Sequence, residues 1–195
     1  MEGQGQRGTG TASRTPRRSD PSRRDRIIDA TLDVIAEVGV AGTSHRKIAA
    51  RAGVPLGATT YYFADLDDIL RAAFERFADR LATRYERRLQ GAGNRDRAIE
   101  AIVGLIHLDL PASQQELVLT TELYTLASRK AEYRTITRDW TARSRRALAP
   151  YFDRETTHML DALIEGLLLH AALDTEPSDR ARTAEAVRRI TAGSR

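Results

Sequence analysis

An all-α fold is predicted by three features of this 195-residue chain. Apolar residues recur at three- and four-residue spacing along most of its length. Ala, Leu and Arg are abundant and aromatics few, a composition that favours helix over sheet. Nowhere do Val, Ile and Thr alternate with polar residues as a half-buried strand requires. The length suffices to bury a sizeable core.

Residues 1–20 carry no periodic apolar pattern and are expected to be disordered. The first helix opens at Pro21 or Ser22 and runs to about Val38. Ile28, Leu32 and Ile35 form its stripe, Ile27, Thr31 and Val34 its flank, and Gly39 stands where a C′ residue belongs. Ser44 is a suitable N-cap for a short helix to about Ala52, which Gly53-Val54-Pro55 breaks. Another short helix covers about Pro55 to Phe63, and a long amphipathic one about Asp67 to Gln90, ended by Gly91-Ala92-Gly93. The next, about Asn94 to Asp109, is stopped by Pro111; then follow about Ser113 to Ser128 and Ala131 to Tyr151. The last two run from about Glu155 to Asp174 and from Ser178 to Thr191, separated by Thr175-Glu176-Pro177. That makes nine helices and no internal repeat.

With no Cys, the chain is denied disulfides, thiolate metal sites and cysteine catalysis. The N-terminus is polar and basic, which is not a secretory signal. The longest apolar run, around Leu167–Leu169, falls far short of the roughly 18 residues of a membrane span. A cytoplasmic protein without membrane contact is expected. Seven arginines against three acids in residues 1–26 carry +4, the net charge of the whole chain. A basic arm ahead of a neutral body suggests a polyanion at one end, or else a solvated tail.

Residues 44–63 favour the former reading. Two steeply crossed helices need a small residue at the crossing, and Ala49 is small. The turn needs positive φ, which Gly53 supplies cheaply, and an apolar residue beneath it, Val54. Pro55 suits a first helical turn because its missing N–H would be unpaired there anyway. Such a helix-turn-helix places its second helix in the DNA major groove.

The run Ile48-Ala-x-x-Ala-Gly-Val54, followed by Gly57-x-x-x-Tyr61-Tyr-Phe63, resembles the DNA-binding domain of the TetR family of transcriptional regulators from about Arg24 to Phe74. The resemblance implies an arm (1–21), a helix-turn-helix domain (22–66) and a ligand-binding and dimerisation domain (67–195). It also implies a homodimer on a palindromic operator in double-stranded DNA, acting as a repressor and released by a small-molecule inducer. Residue by residue, Arg46 corresponds to a position that reaches bases or phosphates, with bidentate guanine contact open to it. Ala58, Thr59 and Tyr61 stand where base edges are read. Thr60, Tyr62, Lys47 and the helix start at Ser44 stand where phosphates are held. The chain departs from the pattern in three places: Thr59-Thr60 replaces the usual Leu-Tyr, Leu56 stands where Lys or Arg is common, and Leu66 where Lys is common. The basic arm is expected to compensate for the lost cations.

In the body, the helix carrying Met159, Leu160, Leu163 and Leu167 is apolar over a wider arc than one packing face needs. With Val187 and Ile190 of the last helix it is the candidate dimer interface. Polar or aromatic residues on otherwise apolar stretches (Tyr85, His107, Glu122, Tyr124, Trp140 and Arg143) are the candidate ligand-binding residues. Each of them also has a purely structural alternative. The four His lack metal-binding spacing, and no Gly-rich loop follows a strand, so neither enzyme chemistry, a metal nor a cofactor is expected. Two other readings stay open: a DNA-binding regulator without a small-molecule ligand, and a helical ligand-binding or adaptor protein that no longer binds DNA.

Overall fold

The computed structural model of the protein describes residues 21–109, 113–174 and 179–193. The arm at 1–20, the stop at Pro111 and the break at Thr175-Glu176-Pro177 lie outside the described residues. Within them the chain forms α1 (Pro21–Gly42), α2 (His45–Ala52), α3 (Leu56–Tyr62), α4 (Leu66–Gln90), α5 (Arg95–Gly104), α6 (Gln114–Arg129), α7 (Ala131–Leu148), α8 (Arg154–Leu173) and α9 (Arg180–Thr191). A π-helical turn, Leu105–Asp109, extends α5. No strand occurs among the described residues, and none of their helices is long and apolar enough to cross a membrane.

Side-chain caps explain most of the boundaries. Ser44, Asp65, Asn94, Ser113, Asp153 and Asp179 each accept from a backbone N–H two or three residues ahead. These satisfy donors that a helix start leaves unpaired. α1 differs from expectation at its end. Gly39 breaks it at φ 69 and ψ 172, a region essentially reserved for glycine and not the αL geometry of a simple C′ residue. A further turn to Gly42 then leads into α2.

One apolar core runs through head and body alike. Ile28, Leu32, Ile48 and Phe63 contribute from α1–α3, Phe74 and Phe77 from α4, and Leu123, Tyr133, Leu148, Ile164 and Val187 from the later helices. Full burial of one such side chain stabilises by about 1.5–3 kcal/mol. α4 is the shared beam: at 25 residues it is ~37 Å long. Its start packs against α1, where Arg76 bonds Asp29 at 3.1 Å and also Asp25. Farther along, Arg143 of α7 grips it by a fork on Glu86 (Nε to Oε1 and Nη2 to Oε2, both 2.8 Å) and a bond to Asp79. Tyr133 packs edge-on against Phe74 and donates to the Asp67 carboxylate at 3.1 Å, tying α7 to the first turn of α4.

Candidate DNA interface and ligand cavity

α2 and α3 form the expected helix-turn-helix. Gly53 adopts φ 63, ψ 38, and its N–H closes onto the last carbonyls of α2. Ile48 and Ala49 are buried beneath the crossing. Phe63 lies in the core, with the Arg24 guanidinium 5.1 Å from its ring centroid.

Of the DNA candidates, Arg46, Lys47, Thr60 and Tyr61 are exposed, whereas Ser44, Ala58 and Tyr62 are half-buried. Tyr61 is 62% exposed and meets Tyr62 edge-on at 4.9 Å. Lys47 folds back to donate to the Gly42 carbonyl at 2.8 Å. Ser44 is engaged as the α2 cap. Thr59 is a correction. It is 0% exposed, so its side chain faces inward and offers nothing to a base edge. The signal lay in the pattern, where Thr59 stands at a position the resemblance gives to an apolar Leu. Leu56 is 54% exposed at the start of α3, an apolar group on the outer side of the head.

A cavity of about 430 Å³ lies among α4, α6, α7 and α8. Three of the six ligand candidates line it: Tyr85, Tyr124 and Trp140. The Tyr124 and Trp140 rings stack at 6.2 Å with 24° between their planes. The Tyr85 hydroxyl is buried without a hydrogen-bond partner among the described residues, and desolvation pushes its pKa far above the ordinary phenol value. The other three candidates lie elsewhere, each held by a structural bond. His107 Nε2 pairs with Thr183 Oγ1 at 2.9 Å, Glu122 Oε1 accepts from the Val40 N–H at 3.1 Å, and Arg143 is the grip on α4.

The residues missed from the sequence are chiefly acidic. Glu116, Asp161 and Glu165 line the cavity, and among the described residues no Lys or Arg does. Glu116 bonds Arg84 at 2.5 Å and Asp161 bonds Arg145 at 2.9 Å, while Glu165 accepts from the Tyr124 hydroxyl. Burial raises the pKa of Asp161, opposed by Arg145, and also that of Glu165. Asp161 and Glu165 stand four apart in the otherwise apolar stretch from Met159 to Leu169 of α8, so they share a face; that interruption was the legible sign.

The candidate dimer residues divide. Met159 is 43% exposed, and Leu163, Leu167 and Ile190 are half-buried. Leu160 and Val187 are 0% exposed and belong to the monomer core, which corrects their assignment. The outer face of α8 instead adds Leu173, whereas Leu169 lines the cavity, and a Cβ at Gly166 would meet open space.

Residues 27–80 match the family model described as bacterial regulatory proteins, tetR family, and residues 93–193 match that of a tetracyclin repressor-like C-terminal domain. The HTH-type transcriptional regulator BetI of Escherichia coli K12 is 31% identical over 175 residues, covering 82% of this chain and 87% of BetI. Among solved structures, the transcriptional regulator SCO7518 of Streptomyces coelicolor A3(2) is 53% identical with a TM-score of 0.81, covering 88% of this chain and 99% of that one. The multidrug binding protein EbrR complexed with ethidium is 32% identical with a TM-score of 0.73, covering 87% and 98%. EbrR complexed with malachite green is 30% identical with a TM-score of 0.71, covering 88% and 99%.

Proposed function

The chain belongs to the TetR family of bacterial regulatory proteins, and on that premise we propose that it is a repressor released from its operator by a cationic, aromatic small molecule. Residues 22–66 form the DNA head, residues 67–195 the ligand-binding and dimerisation body, and residues 1–21 a basic arm that adds phosphate contacts. Two copies join through the outer face of α8, with Met159, Leu163 and Leu167, together with Ile190 of α9, and occupy a palindromic operator on the cytoplasmic chromosome. One head reads only a few base pairs, so specificity requires two heads about one helical turn apart. Arg46, Ala58, Thr60, Tyr61 and Tyr62 make the base and phosphate contacts, joined by Lys47 and the α2 start at Ser44.

The observation that carries the ligand reading is the cavity wall: a stacked Tyr124–Trp140 pair beside Glu165, with Glu116 and Asp161 held by Arg84 and Arg145, and no Lys or Arg among its described lining residues. A flat organic cation gains from the carboxylates and from the aromatic faces together. EbrR's complexes with ethidium and malachite green support this class. Release follows from shared helices. α6 lines the cavity through Thr121, Tyr124 and Thr125, and from its other side Glu122 holds the backbone of Val40 at the end of α1. α4 lines the cavity at Leu81 and Tyr85 and packs on α1 at its start. A ligand that favours one arrangement of α4 and α6 therefore biases the separation of the heads, which couples the two sites.

Selection of bound sequences from random DNA tests the first half: a palindrome is expected, and a single unpaired half-site would contradict the dimer. Titration with malachite green tests the second half, and absence of binding would remove the ligand reading.

A further inference from the structure

α3 is a helix of seven residues, and of these only Thr59 is buried. Besides Thr59, it packs only the half-buried Ala58 and Tyr62 against the core, with Phe63 buried just beyond its end, so few side chains fix its rotation about its own axis. Yet that rotation decides where Thr60 and Tyr61 point. The Thr59 hydroxyl lies 2.8 Å from the Leu56 carbonyl and 3.0 Å from Nδ1 of His45, the first residue of α2. A carbonyl can only accept, so both contacts are met together when the hydroxyl gives its proton to Leu56 and accepts from the imidazole Nδ1–H. The bond to Leu56 stays within α3, whereas His45 supplies a second partner from the neighbouring helix and so ties α3 to α2.

We propose that His45 is a positioning residue for operator recognition: its hydrogen bond to Thr59 sets the rotation of α3 against α2, and hence which base edges the exposed residues of α3 meet. The proposal rests on the reading of DNA through α3. At this position the chain has a directional bond, with a distance and an angle to satisfy. A directional bond defines rotation more tightly than an apolar contact of the same size.

The test compares Thr59→Val, His45→Ala, the double variant and Thr59→Ser. Each is measured for affinity to the operator obtained by selection from random DNA and to a scrambled duplex. Valine keeps the size and branching of threonine, so the head remains folded, and melting temperature verifies this. Thr59→Val and His45→Ala should each lower the ratio of operator to scrambled affinity about fivefold, the worth of one net hydrogen bond. The double variant should fall no further than the worse single, and Thr59→Ser should stay within about twofold of the unmodified protein, since it restores the bond. An unchanged ratio in Thr59→Val, a double variant equal to the product of the singles, or an equal loss on both duplexes would overturn the proposal. If selection returns no preferred sequence at all, the DNA-reading premise fails and the proposal with it.

Discussion

Replacing Gly39 with alanine should be far more damaging than its half-buried position suggests. At φ 69 and ψ 172 the backbone occupies a region that costs an L-residue about 1–3 kcal/mol. The added Cβ would also stand 2.6 Å from Glu122 Oε1, closer than any relaxed contact. The carboxylate must then leave, and its bond to the Val40 N–H goes with it. A hydrogen bond to a charged group contributes about 1.5–3 kcal/mol, and we take about 1–2 for this partly exposed one. Gly39→Ala should therefore lose about 2–5 kcal/mol. Glu122→Ala alone should lose about 1–2, since it breaks the same bond without backbone strain. The double variant should fall short of the sum of the singles by about 1–2 kcal/mol, because the bond can be lost only once. Denaturant unfolding of the four proteins, with m values compared, measures each quantity. Additive losses, or a Gly39→Ala protein as stable as the unmodified one, would refute the claim that α6 caps the end of α1 through this carboxylate.

Glu165→Gln and Asp161→Asn should each weaken malachite green binding about tenfold, roughly 1.4 kcal/mol out of a gross attraction near 4 kcal/mol for unit charges at ~4 Å and an effective dielectric of ~20. Equilibrium fluorescence titration checks this. Because burial raises both carboxyl pKa values, binding should also weaken as pH falls through the acidic range, where the carboxylates take up protons. On the outer face of α8, Met159→Asp should convert a dimer to monomer in sedimentation while leaving the monomer folded. Leu160→Ala, at a fully buried position, should instead cost about 2–5 kcal/mol of stability. Deleting residues 1–21 removes Arg7, Arg14, Arg17 and Arg18 and should lower operator affinity and flatten its dependence on salt; an unchanged slope would exclude the arm from the DNA.

The helices were legible because their information is local: apolar spacing, caps and glycine stops place the nine α-helices of the described residues within a few residues. The helix-turn-helix was legible for the same reason, since Ala49, Gly53 and Phe63 each do a job visible from their size or backbone freedom. What failed was orientation. Thr59 looked like a polar residue on a recognition helix, and Leu160 and Val187 looked like interface residues. Which way a side chain turns depends on how neighbouring helices cross, and that is a non-local property. Glu122, His107 and Arg143 share this limit. Each is a polar group near the apolar body, and each is held by a partner 57 to 82 residues away in sequence. The acidic pair in α8 was overlooked because the apolar arc of that helix drew the reading toward a dimer, while one of its edges also faces the cavity.

Coupling between the cavity and the DNA head is what makes the protein a ligand-released regulator. The direct measurement is operator affinity by fluorescence anisotropy at increasing malachite green, with scrambled DNA correcting for dye bound to the duplex. A drop of tenfold or more is predicted, together with an equal loss of dye affinity when operator is bound, as linkage requires. Dye that binds the cavity and leaves operator affinity unchanged would contradict it.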